Sequence, residues 1–311
     1  MKAHLPGIRQ LLYPGHTLPT AAAPVCVASG VAIAAGVFAA GPALGAFLAG
    51  WLIQLGGVIA DNYNNLRRHP DDQEHPDLVL ALRSGTVRIE QLRGAARACY
   101  VASLGIGLYL VWVGGLPALM VGCASILASL AYSSEPLPLG DRALGDPLFF
   151  LFFGVVSVVG AFYVQAADVL GTPFLITPPP GSLPAQAFVA SLPVAALTTN
   201  ILVIDNIRDR ELDAAKGEIT LAVLLGETWS RVEFFVLMSV AYGVPVVLWL
   251  RGAGVPVLLP LLTVPLALWL AWRVWTLRGH EALGPVTPQA GALDLTFSVL
   301  FGLGLALAGG A

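Results

Sequence analysis

The strongest constraint on this 311-residue chain is the recurrence of apolar runs about 20 residues long, separated by short polar stretches. A run of that length lets a helix cross roughly 30 Å of hydrocarbon with every backbone amide satisfied internally. Nine segments qualify, at 18–38, 42–60, 96–114, 116–133, 147–166, 185–204, 232–250, 255–276 and 291–309. The expected fold is therefore all-α: a polytopic integral membrane helical bundle of nine transmembrane helices, forming one domain over residues 1–311. Breaks such as Ala40-Gly41-Pro42 and Gly114-Gly115-Leu116-Pro117 predict tight turns between consecutive spans. Composition agrees, with 57% of residues hydrophobic and 11% charged, against about a quarter charged in soluble domains. A net charge of −3 gives no electrostatic basis for nucleic-acid binding, and so apolar a chain is the opposite of a disordered one.

Basic residues test the span count independently, because Lys and Arg collect on cytoplasmic loops. With the N-terminus inside, fifteen of the sixteen fall on the cytoplasmic side, Lys2 and Arg9 among them, and only Arg251 on the other. The expected setting is thus the cell (plasma) membrane, with several passes, a cytoplasmic N-terminus and an outside C-terminus. No small-x-small cleavage site follows a short apolar core near residue 1, so that stretch reads as a retained tail. Cys26, Cys99 and Cys123 lie in apolar surroundings without CxxC spacing and read as packing residues.

Thirteen of the nineteen Asp and Glu lie in two cytoplasmic segments, 61–90 and 205–233, each beginning where an apolar helix ends, in GGVIADNYNNLRRHPDD and TTNILVIDNIRDRELDAAKG. In the second, Asp205, Asp209 and Asp213 recur at i, i+4 and i+8 and share one helix face. Either this is a solvated extension neutralised by Arg208 and Arg210, or a divalent cation offsets the repulsion. Mg²⁺ characteristically uses one or two carboxylates together with substrate phosphates. The first segment offers Asp61, Asn62, Asn64, Asn65, Arg67, Arg68, Asp71 and Asp72, hard oxygen ligands beside two guanidinium forks able to grip phosphate. Its alternative is a capped turn closed by His69-Pro70. Two such segments on one side of the bilayer point to convergence on a diphosphate-bearing, lipid-like substrate.

These residues resemble the UbiA superfamily of membrane prenyltransferases, and within it the 1,4-dihydroxy-2-naphthoate prenyltransferases of menaquinone synthesis. Thr17-Leu18-Pro19 followed by TAAAPV resembles the family's opening helix, and ADNYNN its first acidic motif, usually NDYxD. LRSGTV at 82–87 is similar to the stretch that follows, and YSSEPLPLGDRALGD at 132–146, running into FFLFFGVVSVVGAFYVQ, to its middle segment. The most specific likeness is NIRDRELDAAKGEITLAVLLG at 206–226, similar to the second acidic motif and its trailing TLAxxLG.

The resemblance implies two aspartate-rich motifs holding Mg²⁺ and a polyprenyl diphosphate at the mouth of a helical cavity within the lipid bilayer. An aromatic acceptor, 1,4-dihydroxy-2-naphthoate, would be alkylated where it loses its carboxyl group as carbon dioxide, giving demethylmenaquinone in its reduced, hydroquinone form. Ionising an allylic diphosphate separates an anion from a carbocation, so cations and a water-poor chamber suit that chemistry. Carried over onto this chain, the resemblance implies metal ligands Asp61, Asn65, Asp71 and Asp72 from a first motif (61–72), and Asp205, Asp209 and Asp213 from a second (205–213). It implies diphosphate contacts at Arg68, Arg208, Asn206 and Tyr132, and catalytic roles for Asp61, Asn62 and Asp209. This chain departs from the pattern in several places. Asp61-Asn62 stands where the family has Asn then Asp, Asn65 where a second Asp is usual, and Glu218 where Lys is general, while Glu135 and Asp141 replace neutral or aromatic residues.

Tyr132, Tyr163 and Gln165 at helix ends read either as interfacial residues or as substrate contacts. The proline-rich stretch DVLGTPFLITPPPGSLP predicts a stiff outside connection, Asp294 reads either as an intramembrane acid with a function or, the favoured reading, as an exposed interfacial one, and His69, His75 and His280 read as loop residues without a role. Rival functions are the same fold with another acceptor, such as a hydroxybenzoate or a chlorophyll-like ring, and a lipid or ion transporter. A transporter should carry ionisable groups near mid-helix, whereas these sit at cytoplasmic ends.

Overall fold

The computed structural model describes residues 21–73, 75–134 and 138–309. The Thr17-Leu18-Pro19 match, the tail with Lys2 and Arg9, and Glu135 lie outside them. In chain order the helices are α1 (Ala22–Ala34), α2 (Ala40–Arg68), α3 (Pro76–Arg83), α4 (Ile89–Ser133), α5 (Gly145–Leu170), α6 (Ala185–Lys216), α7 (Leu221–Leu225), α8 (Glu227–Leu250), α9 (Val255–Thr276) and α10 (His280–Ala308). Among the described residues the only β pairing is one isolated parallel bridge, Arg142 with Ile219.

Seven of these helices, α2, α4, α5, α6, α8, α9 and α10, are long and apolar enough to cross a membrane. Two features separate that number from nine expected segments. Helix α1 has 13 residues, and the segments 96–114 and 116–133 are joined in the 45-residue α4, which breaks internally at Gly115 (φ 64°, ψ −149°). Only glycine enters that backbone region freely, and a Cβ there would lie 1.9 Å from the Leu175 carbonyl oxygen. The groups freed by the break find partners nearby. Leu116 N–H donates to Leu175 O (2.7 Å), and the Tyr163 hydroxyl donates to Gly114 O (2.7 Å). The proline-rich connection before α6 thus packs into the α4 break, and Tyr163 supports the helix turn beside it.

Burial identifies α6 as the centre: 78% of its apolar window is inside the protein, against 17% for α4. Helix α2 runs along α4, α1 along α10, and α6 is flanked by α5 and α8. Phe162, Phe234, Phe297 and Phe301 are fully buried in the shared core. Leu108, Trp112, Met120 and Leu127 on α4 and Leu262, Leu268 and Trp272 on α9 face outward, as hydrocarbon rather than water would permit. Small residues bring backbones together where α1 meets α10. A Cβ on Gly30 would lie 2.2 Å from Gly302 O, and one on Gly302 would lie 2.4 Å from Cys26 O. Helix α5 contains a widened π-helical stretch, Phe149–Val156, whose Phe149, Phe152 and Phe153 turn toward an internal cavity.

Gly30→Ala must displace the α10 backbone and is expected to cost about 1–3 kcal/mol, read as a lower melting temperature of the protein in detergent. Gly243→Ala, on a part of α8 where an added Cβ meets nothing, should leave the melting temperature unchanged or raise it. Equal behaviour of the two variants would refute the close-packed α1–α10 contact.

Candidate active site

Helices α1, α2, α4, α5 and α6 enclose a cavity of about 360 Å³. Leu110, Val121, Phe149, Phe152, Phe153 and Ile201 make much of its wall apolar. Its polar end is formed where α2 and α6 run out into their charged last turns.

The first motif is helical, not a capped turn. Helix α2 continues through Arg68, and His69 stands at its C-cap without regular helical geometry. Continuation sorts the motif by face: Asp61, Asn65 and Arg68 lie at i, i+4 and i+7 and all line the cavity. Asn62 is buried off that face and is not part of the cavity wall, and Asn64 reaches across to donate to Ser133 on α4 (3.3 Å). Neither acid beyond the helix faces the cavity. Asp71 is exposed and paired with Arg83. Asp72 is buried, 2.8 Å from Lys216 Nζ and 2.8 Å from His75 Nδ1, and it accepts from Asn65 Nδ2 (3.3 Å).

The second motif occupies the last turns of α6, where Asp205, Asn206, Arg208, Asp209 and Asp213 all line the cavity. Arg208 spans two carboxylates, with Nη1 2.5 Å from Asp205 Oδ1 and Nε donating to Asp209 at 2.8 and 3.0 Å. Two residues at the start of α10 complete the network: Thr287 Oγ1 donates to Asp205 Oδ1 (2.7 Å), and His280 Nδ1 lies 2.6 Å from Asp209 Oδ1. Asn206 Nδ2 donates to the buried Asp146 (3.2 and 3.3 Å), and Asp213 accepts from Thr220 Oγ1 (3.2 Å). Gly217, at φ 80°, ends α6 in the left-handed conformation and turns the chain back, with Glu218 N–H on Asp213 O (2.9 Å). Tyr132 and Tyr163 also line the cavity, whereas Gln165 is buried away from its wall with Nε2 donating to Ala161 O (2.8 Å).

Several residues of this network lie outside both acidic motifs: Asp141 stands out in the sequence only as a departure from the family pattern, His280 reads as a loop residue, and Asp146 and Thr287 are not singled out. Asp141, Asp146, His280 and Thr287 come from segments remote from both motifs and meet them only in the folded chain. Asp294 is a correction of another kind. It is fully buried instead of interfacial, accepting from Thr198 (3.1 Å) and Ser298 (3.4 Å) inside the bundle. A carboxyl in that position keeps hydroxyl partners because an unpartnered one would be costly.

Six carboxylates, Asp61, Asp141, Asp205, Asp209, Asp213 and Glu218, line the cavity against two arginines, Arg68 and Arg208. Among the described residues no three His, Cys, Asp or Glu side chains stand together as a complete metal cage. The donor chemistry nevertheless fits a hard divalent cation that takes its remaining ligands from phosphate. Asn65 Nδ2 is committed to Asp72, while its Oδ1 is buried without a hydrogen-bond partner. An excess of carboxylates next to an unsatisfied amide oxygen is an oxygen-only, anionic environment of the kind Mg²⁺ favours.

Titration outside the helices follows the same contacts. Burial alone would raise the Asp72 carboxyl, but hydrogen bonds from His75 and Lys216 and their charges hold it well below the usual carboxylate range. Burial lowers the His69 imidazole, aided by Lys216 and Arg68, so at pH 7 it is neutral beside Glu218, 3.6 Å away.

Because the Asp72 carboxyl is depressed below its unfolded value of about 4, its stabilisation is complete above that value and is lost as pH falls through the folded one. Asp72→Asn, which removes the acid beside the partly buried Lys216, should cost about 1–3 kcal/mol at neutral pH. Thermal unfolding from pH 6 down to pH 3 should then fall less steeply in the variant than in the wild type; parallel curves would rule out this tether as a determinant of acid stability.

Residues 21–286 match the family model described as the UbiA prenyltransferase family. The chain is 31% identical over 286 residues to the 1,4-dihydroxy-2-naphthoate octaprenyltransferase of Mycobacterium tuberculosis, covering 91% of each chain. The fold is similar to that of a UbiA homolog from Aeropyrum pernix, with a TM-score of 0.67 and 17% identity over 93% of this chain and 97% of the other. It is also similar to a UbiA homolog from Archaeoglobus fulgidus bound to DMAPP and Mg²⁺, with a TM-score of 0.55 and 14% identity over 94% and 99% of the two chains.

Proposed function

The chain belongs to the UbiA prenyltransferase family and is a prenyl-transferring enzyme, and from that premise we propose that it moves a polyprenyl group from polyprenyl diphosphate to 1,4-dihydroxy-2-naphthoate with loss of carbon dioxide. The observation that carries the reading is one cavity with an apolar wall, whose polar end brings Asp61, Asn65 and Arg68 of α2 to Asp205, Asp209 and Asp213 of α6. The acceptor is assigned from the relatives, several of which are named as octaprenyltransferases acting on that naphthoate.

In this reading Asp61, Asn65, Asp205 and Asp209 would hold Mg²⁺, with Asp213 behind them. The ion, when bound, would offset the negative charge that develops on the diphosphate as it leaves. Arg68, Arg208 and Asn206 donate to diphosphate oxygens, and Tyr132 borders the same space. As the allylic C1–O bond breaks, its electron pair departs with the diphosphate. Phe149, Phe152 and Phe153 then face the carbocation with aromatic rings instead of water. The electron-rich ring of the acceptor attacks the cation through the carbon bearing the carboxylate. Carbon dioxide leaves that carbon, and the electron pair of the broken bond restores the aromatic ring. Asn62, Asp71 and Asp72 take no ligand role, because they do not border the cavity. The whole chain acts as one domain that crosses the cell membrane nine times, with its N-terminus and the polar end of the cavity on the cytoplasmic side.

Purified protein supplied with Mg²⁺, radiolabelled polyprenyl diphosphate and carboxyl-labelled 1,4-dihydroxy-2-naphthoate should release labelled carbon dioxide in step with prenylated product. Asp209→Ala should lower transfer by about a hundredfold or more, and chelation of the metal should abolish it. Product formed with retention of the carboxyl label, or only from other aromatic acids, would replace the acceptor. No transfer to any acceptor, with Asp209→Ala indistinguishable from wild type, would end the proposal.

A further inference from the structure

Two of the residues that depart from the family pattern meet on one arginine. Arg68 Nη1 is bonded to Asp141 Oδ2 and lies 3.9 Å from Glu218 Oε1, and all three residues line the cavity. Asp141 belongs to the segment between α4 and α5, Glu218 to the turn after α6, and their backbones are joined. Ile219 N–H donates to Asp141 O (2.9 Å), and Arg142 pairs with Ile219 in the isolated parallel bridge. On its other side Gly140 N–H donates to Tyr132 O (2.8 Å), and the residue packs so closely on the Tyr132 ring that a Cβ would lie 2.9 Å from it. Asp141 is thereby fixed in position from both neighbours.

The guanidinium is engaged at one corner only. Nη1 is taken by the acids, whereas Nε is buried with no hydrogen-bond partner. The Nε–Nη2 edge of a guanidinium is a fork that meets two oxyanion oxygens side by side. We infer that Asp141 and Glu218 are positioning residues for Arg68: they hold Nη1 so that the Nε edge stays preformed for a pair of phosphate oxygens of the prenyl diphosphate. The inference rests on the diphosphate binding in this cavity, as proposed above. It also gives the exchange at position 218 a physical reason. A lysine there, as in the family pattern, would set an ammonium against Arg68 and compete for Asp141, whereas Glu218 adds a second acid on the same side of the guanidinium. The acids act through orientation, since an unpaired carboxylate at this place would repel the diphosphate.

The test uses the full chain in detergent, with Mg²⁺ present and two readouts: binding of geranyl thiolodiphosphate by calorimetry, which needs no transfer, and steady-state transfer kinetics. Asp141→Asn should raise the Kd of the analogue and the KM of the prenyl diphosphate about tenfold with kcat little changed, and Glu218→Gln about threefold. Arg68→Lys should bind as poorly as Arg68→Ala, because an ammonium has no fork. In the Arg68→Ala background, Asp141→Asn should add nothing. Melting temperatures identify any variant that has simply lost its fold, and the Glu218→Gln arm then carries the comparison. A change below about twofold for Asp141→Asn, or the same change with and without Arg68, overturns the positioning role. A wild type that binds the analogue with this Arg68 dependence but transfers to no acceptor leaves the positioning role standing and overturns the function. Failure to bind the analogue at all overturns both.

Discussion

A carboxylate at the edge of hydrocarbon has to be partnered, and the arrangement of α6 follows from how this chain meets that requirement. Asp205 and Asp209, one helical turn apart, would repel each other if left alone. Arg208 lies between them and contacts both, Thr287 and His280 close the outer side, and the ends of α6 and α10 are joined as a result. The same logic recurs around the rim. Asp72 takes Lys216 and joins the segment after α2 to the end of α6, Asp141 takes Arg68, and buried Arg231 donates to Trp275 O (2.5 Å) and Leu277 O (2.8 Å) at the end of α9. Charge pairing thus fixes the polar end of the bundle.

The apolar part depends on a different device. With lipid outside and apolar side chains inside, little hydrophobic driving force separates one helix contact from another, so shape decides which helices meet. Gly30 against Gly302 brings α1 to α10 at backbone distance, and Gly154 against Ala195 does the same for α5 and α6, where a Cβ would fall 2.1 Å from the Ala195 Cβ. Helix α5 widens into a π-helical stretch next to that contact, and its phenylalanines line the chamber. Close packing around α6 and a widened turn in α5 together leave a cavity where five helices would otherwise fill the space.

Much of this was legible in the sequence because it depends on local order. Helix periodicity put Asp205, Asp209 and Asp213 on one face, and the apolar runs marked where helices lie. The first motif was harder to read, since Asp and Asn cap turns as readily as they sit in a buried helix end, and Pro70 suggested an early stop. The helix runs on to Arg68 because Asn62 and Asn65 are buried and Asn64 has a partner on α4, contacts that propensity alone does not carry. Gly115 reads as a turn between two spans, and the backbone does turn there, yet the break is held by Leu175 and Tyr163 from segments far along the chain. Asp294 was misplaced for the same reason: Thr198, its hydroxyl partner on α6, stands 96 residues away.

By itself the sequence determined that the chain is helical and membrane-bound, that most of its charge lies at the helix ends and in the segments joining them, and which acids share a helix face. These properties depend on hydropathy and on a period of 3.6 residues, both written in consecutive positions. Tertiary structure decided which of the charged residues face a common space. It drew Asp61, Asn65 and Arg68 inward, turned Asp71 outward and enclosed Asp72. It also recruited Asp146, His280 and Thr287, which no local pattern distinguishes, and gave Asp141, a departure from the family pattern, its partner Arg68. The physical reason is that a side chain's partners are set by how helices cross, and helix crossing is fixed by packing between residues that are distant in the chain.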